Sequence, residues 1–179
     1  MDVAEVLKKR MEKSLEYQSV LHFGDFATDY VYCPLKAIWR WVYGPRLSYR
    51  AFIGKAVHEA VEKLADESEV RISKDGIDAR IDMFVEGEPV EMKFVPRLPD
   101  RPREHHRMQA SIYVWMLDRP VHLLYVSPDG MRDFLITESV NPRHVDRRIP
   151  MWPWECKFCE YRDICRDRIL DALVMMDAR

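Results

Sequence analysis

The chain has 179 residues, 47% hydrophobic and 32% charged, with a formal net charge of −2. That length buries a real core in one domain, and the balance of charge excludes a generally basic nucleic-acid coat protein; a nucleic-acid partner would have to be held by a local patch. No apolar run reaches the length of a membrane span and the opening residues read as an amphipathic helix rather than a signal peptide, so a cytoplasmic protein with no membrane partner is expected. Amide side chains are confined to Gln18, Gln109 and Asn141 while Lys, Arg and Glu abound, a hyperthermophile pattern.

In chain order, the first twenty residues carry a helical pattern. "TDYVYCPLKAIWRWVYG" is rich in aromatics and interrupted by Pro34, which predicts a short helix, a break and another helix. "LSYRAFIGKAVHEAVEKLADES" has Ser48 as N-cap and Phe52, Ala56, Ala60 and Leu64 at helical spacing. Strand chemistry follows in "EVRIS", "GIDARIDMFV" and "EPVEMKFV", the last two joined by a turn at Glu86-Gly87. A stiff connector, "PRLPDRPR", leads into the helix "EHHRMQASIYVWMLD". Two strands, "VHLLYVS" and "RDFLITES", are joined by the turn "PDG", and a cysteine-bearing tail ends in a short helix. Strands, a helical crossover and more strands make a mixed α/β core.

The cysteines are Cys33, alone near the start, and Cys156, Cys159 and Cys165 in the spacing C-x2-C-x5-C. Three thiolates from one short segment and one remote thiolate suit a zinc ion or an iron–sulfur cluster equally. Such a centre ties the start of the chain to its end and acts as a structural staple.

If Glu86 and Gly87 are the central residues of a two-residue turn, Asp82 stands directly across from Glu91, and Lys93 shares their face. Opposed carboxylates repel, and a divalent cation removes the conflict, with Lys93 placed to orient water or stabilise phosphoryl charge. Asp78 is the alternative to Asp82: it shares strand parity and lies thirteen residues before Glu91. His58 lies on the preceding helix, and Gln109 and Tyr113 share one helical face downstream.

These residues, in this order, resemble the iron–sulfur branch of the RecB-like PD-(D/E)xK nucleases. At this length, without a helicase portion, the chain is most similar to the CRISPR-associated RecB-like exonucleases, the Cas-four family. The resemblance spans Cys33 to Cys165. It implies an α/β restriction-endonuclease-like fold, a mixed sheet flanked by helices with an iron–sulfur-stapled terminal helical region. A single nuclease domain over 1–179 is expected, with 20–47 and 150–179 holding the cluster and 48–140 forming the core.

The resemblance also implies a cytoplasmic Mg²⁺- or Mn²⁺-dependent DNA exonuclease. Such enzymes cut single-stranded DNA from the 5′ end and help process new spacers with the CRISPR integrase of the first and second Cas proteins. An endonuclease activity and homo-oligomers are compatible with it. His58, Asp82, Glu91 and the Met92 carbonyl would hold the cation, Lys93 would position water, and Gln109 and Tyr113 would shape the site or touch the DNA backbone. Cys33, Cys156, Cys159 and Cys165 would hold a cluster, [4Fe–4S] ahead of [2Fe–2S]. Arg97, Arg101, Arg103 and Arg107, and a second group of Arg143, Arg147 and Arg148, would meet phosphates. Trp39, Trp41, Tyr43, Trp152 and Trp154 suit base stacking or, more simply, packing around the metal centre. Two other readings use the same residues: a non-catalytic DNA-binding adaptor of the integrase, and a zinc-stapled restriction-type endonuclease.

Overall fold

The computed structural model describes residues 2–17, 26–44, 46 and 49–165. The chain divides into two compact units: residues 1–24, 32–49 and 147–179 form one, and 25–31 with 50–146 the other.

The larger unit is built on a five-stranded sheet in the order β1-β2-β3-β4-β5. Its strands are β1 (Glu67–Lys74), β2 (Ile77–Val85), β3 (Glu88–Phe94), β4 (Val121–Ser127) and β5 (Gly130–Ile136). All neighbours run antiparallel except β3 and β4, which are parallel. A parallel pair needs a crossover, and the helix Glu104–Leu117 supplies it. The helix Tyr49–Glu62 precedes the sheet.

Period-two alternation decides the faces. Along β2, Ile77, Ala79, Ile81 and Met83 are buried while Asp78 and Arg80 are exposed. Met83, Val90, Met92, Leu124 and Val126 form an apolar layer against Val57 and Val61, which lie one turn apart on the helix before the sheet. Glu91 and Lys93 therefore point to the opposite face, where the crossover helix packs. Lys74 closes that helix by donating to the Trp115 carbonyl at 2.6 Å.

The Glu86-Gly87 turn is as expected: both residues have positive φ, 51° and 76°, the geometry of a two-residue hairpin with the twist of its strands. Several boundaries differ from the sequence expectation. The last strand begins at Gly130 and ends at Ile136, because Pro128-Asp129 form a two-residue turn that pairs Ser127 with Gly130 at once. The first strand extends over Glu67–Lys74, beyond "EVRIS". Ser48 lies outside the described residues, as does most of the expected final helix.

In the smaller unit, α1 is Val3–Tyr17, opened by Asp2, whose Oδ1 accepts from the Ala4 amide at 2.9 Å. Helix α2 is Pro34–Tyr43, with Pro34 as its first residue. The 3₁₀ turn Ala27–Tyr30, assigned to the larger unit, precedes it, so the break expected at Pro34 is present. The helix Tyr49–Glu62 is α3, the crossover Glu104–Leu117 is α4, and Glu155–Phe158 is a short α5.

Replacing Gly87 by Ala isolates the turn, since nothing lies within 4 Å of the added methyl and only its φ is strained. Gly87→Ala is expected to cost about 1 kcal/mol, read as a lower midpoint in chemical denaturation.

Candidate active site and cysteine cluster

The site begins where the hairpin ladder stops. β2 and β3 pair as Val85↔Glu88, Phe84↔Pro89 and Met83↔Val90, a register that sets Asp82 toward Glu91. A continuing ladder would bond the Met92 amide to the Ile81 carbonyl. Instead that amide donates to Oδ2 of Asp82 at 2.8 Å. A carboxylate replaces a rung of the sheet.

Glu91 is 1% exposed. Its Oε1 accepts from the Lys93 ammonium and, at 2.7 Å, from Nε2 of Gln109. The same Nε2 donates to the Tyr113 hydroxyl at 2.9 Å. Glu91 Oε2 has no hydrogen-bond partner among the described residues. Burial, then the Asp82 charge, push the Glu91 carboxyl up to about 8 against the pull of Lys93.

From α3, His58 Nδ1 stands 3.6 Å from Asp82 Oδ2 and 3.6 Å from Glu62 Oε1. Burial lowers its pKa, opposed by the Asp82 charge and helped by Lys93, and the Met92 backbone is its hydrogen-bond partner. Donor atoms of His58, Glu62 and Asp82 lie within 4.8 Å of one another. The structure thus brings together His58, Asp82, Glu91, Met92, Lys93, Gln109 and Tyr113. It adds Glu62, whose one signal in the sequence is its position one helical turn beyond His58.

Other expectations are corrected. Asp78 is exposed and pairs with Ser73, four residues back along β2 and roughly 13 Å of strand from Asp82. Gln109 and Tyr113 are 5% and 2% exposed, so they hold Glu91 and are too deeply buried to touch a DNA backbone. Arg97, Arg101 and Arg103 face solvent, whereas Arg107 is ion-paired with Glu138 and Arg143 donates to the Asp75 carbonyl at 2.7 Å. Trp39 is core, while Trp41, Tyr43 and Trp154 are exposed.

Beside Lys93 in the parallel register is Tyr125. Its hydroxyl lies 3.0 Å from His106 Nδ1 and accepts from the Arg103 amide at 3.0 Å, fixing the start of α4. Burial, then the Lys93 charge, depress the His106 pKa to about 2.

In the smaller unit, Cys33, Cys156, Cys159 and Cys165 line one cavity of about 540 Å³, and none is in a disulfide. Cys33, Cys159 and Cys165 pack against Leu35, Ile38, Trp39 and Tyr161. Burial pushes the Cys33 thiol up to about 11, although amides of Leu35 and Lys36 at the start of α2 favour its thiolate. Four thiols at one cavity, two helped by backbone amides, are the donor set of a thiolate-bound metal centre. Sequence reasoning missed Glu155. It is 7% exposed, and its two oxygens accept from the amides of Cys33 and Trp152, each at 2.9 Å.

Fold and hairpin define the class: a restriction-endonuclease-like α/β protein with the acid and lysine set of a nuclease. The solved structure of SSO0001 superposes with a TM-score of 0.69 at 24% identity, over 92% of this chain and 96% of that one. In sequence the chain is 24% identical to the CRISPR-associated exonuclease Cas4 of Saccharolobus solfataricus, over 89% of this chain and 95% of that protein. No protein-family model matches the chain.

Because the folded pKa of His106 lies below its ordinary 6.5, its contribution to stability is complete above pH 6.5 and is lost as pH falls toward about 2. Between pH 7 and 5 this one residue should cost the fold about 2 kcal/mol. Chemical denaturation at the two pH values should show His106→Gln losing correspondingly less than wild type.

Proposed function

We propose that this chain is a Cas4-like, divalent-cation-dependent DNA nuclease that acts in the cytoplasm. Its substrate is single-stranded DNA or duplex with single-stranded ends, degraded from the 5′ end, and its role is the processing of new CRISPR spacers with the integrase of the first and second Cas proteins. The observation that carries this is the joining of Asp82, Glu91 and Lys93 at the interrupted hairpin, with Glu91 Oε2 buried and unpartnered.

Unpaired buried carboxylate oxygens beside Asp82 fit a cation well. Asp82, Glu91, His58 and the Met92 carbonyl would hold Mg²⁺ or Mn²⁺, which supplies Lewis-acid polarisation of the scissile phosphate. The chain's own residues do the rest. Gln109 locks the Glu91 carboxylate by one oxygen, leaving the other free to bind, and Tyr113 fixes Gln109. Lys93 is partly exposed and tethered to Glu91, so its ammonium stays at the site, where it orients the attacking water and stabilises charge growing on the phosphate. Arg97, Arg101 and Arg103 present solvent-facing charge for the DNA backbone.

The smaller unit is proposed to carry an iron–sulfur cluster on Cys33, Cys156, Cys159 and Cys165, [4Fe–4S] ahead of [2Fe–2S]. Its place is structural: it joins two segments that Glu155 already holds in register.

Lys93→Ala, folded as wild type, should degrade end-labelled single-stranded DNA in Mn²⁺ about 100-fold more slowly or worse. A wild-type rate would overturn the mechanism. Purified anaerobically, the wild type should absorb broadly in the visible and Cys33→Ser should not. A colourless, zinc-containing wild type would show the zinc-stapled alternative instead.

A further inference from the structure

Glu62 is the last residue of α3, and its structural surroundings are wrong in every respect for a residue that serves only the fold. It is 9% exposed, and its Oε1 has no hydrogen-bond partner among the described residues. It stands at a helix C-terminus, where the backbone dipole repels an anion. Its nearest charged neighbours include Glu69 and Asp82, and burial together with those charges raises its pKa. Arg80, the cation in its surroundings that opposes this, is ion-paired with Glu69.

The same atom is well placed for a metal. Glu62 Oε1 lies 3.6 Å from His58 Nδ1, which lies 3.6 Å from Asp82 Oδ2. One donor from each residue falls within 4.8 Å of the others. Ligands bound at about 2.1 Å stand about 3 to 4.2 Å apart around an octahedral cation, so a small closure brings all three into contact with one ion. Glu91 is on the far side of Asp82, with its own unpartnered oxygen.

We infer that Glu62 is a cation ligand, and that Glu62, His58 and Asp82 form a second divalent-cation position beside the one shared by Asp82 and Glu91. The inference rests on the nuclease reading above and adds to it a second ion, bridged to the first through Asp82. A second ion of this kind faces the opposite side of a scissile phosphate from the first, so that attacking and leaving oxygens each meet a cation.

The test is Mn²⁺ binding to the full chain, followed by the loss of the free-Mn²⁺ paramagnetic resonance signal, with thermal melts with and without Mn²⁺. Wild type should bind two Mn²⁺ per chain and Glu62→Gln one. Without Mn²⁺ the variant should melt at or above the wild-type temperature, since a repulsive buried charge has gone, and its Mn²⁺-induced rise should fall by at least half. Glu62→Asp keeps the charge but withdraws it by one methylene, and should weaken the second ion by about tenfold while retaining both. Glu62→Gln binding two Mn²⁺ as tightly as wild type overturns the inference. So does a variant that melts lower without Mn²⁺ yet keeps the full Mn²⁺ response, because that is a structural role. Wild type that binds no Mn²⁺ defeats the nuclease reading itself; wild type and Glu62→Gln binding alike defeats only the assignment of Glu62.

Discussion

One hydrogen bond organises the larger unit: the Met92 amide to the Asp82 carboxylate. Met92 has two jobs that conflict. Its side chain is fully buried in the layer under α3, which demands that β3 stay in the sheet. Its amide sits where β2 must part from β3 so that ligands can enter. Giving the amide a carboxylate partner in place of a carbonyl resolves the conflict, because the buried donor stays satisfied while the strands separate. The bond also fixes Asp82 through one oxygen and leaves the other available. A site made this way is as rigid as the sheet that carries it.

The second constraint is electrostatic. Asp82, Glu91 and Glu62 bring three carboxyl groups to one corner, and Glu91 is almost wholly buried. Lys93 alone is tethered to Glu91, and His58 is held toward its neutral form by burial. Such a corner holds more negative charge than its own cations neutralise. The fold tolerates it by keeping a proton on Glu91 up to about pH 8 in the absence of metal. Cation uptake must then release that proton, which makes the empty site and the loaded site alternative ways of satisfying the same oxygen. Gln109 serves both: an amide nitrogen donates to Oε1 whatever the state of Oε2.

How much of this the sequence discloses depends on the range of the interaction. The turn at Glu86-Gly87 is local chemistry, and it alone sets Asp82 against Glu91 in a register the structure keeps. The preference for Asp82 over Asp78 followed from that turn, and no pattern of hydrophobicity could have supplied it. Gln109 and Tyr113 were legible as a pair because helical spacing is local too, but their burial was not, since it depends on how α4 lies on the sheet. Glu62 was invisible for a related reason: a glutamate one turn from a histidine on an amphipathic helix is ordinary until the fold buries it without a partner. The strand ends moved by a few residues wherever a turn proved tighter than its composition suggested, as at Pro128-Asp129.

Glu155 poses the same problem of long range in the smaller unit. Its two oxygens bind the amides of Cys33 and Trp152, so a segment from the start of the chain and one near its end are joined before any metal is considered. The Tyr161 hydroxyl adds a second tie, donating to the Gly44 carbonyl at 2.6 Å, and Arg46 a third, through Nη1 to the Glu160 carbonyl at 3.1 Å. These contacts preorganise the thiols at modest cost in chain entropy, since the loop is already closed when the fourth ligand binds. What they cannot do is keep a thiolate at Cys33, whose burial favours the thiol. Only a bound cationic centre offsets that, so the geometry of the cysteine unit comes from Glu155, Tyr161 and Arg46, and its charge balance from the metal.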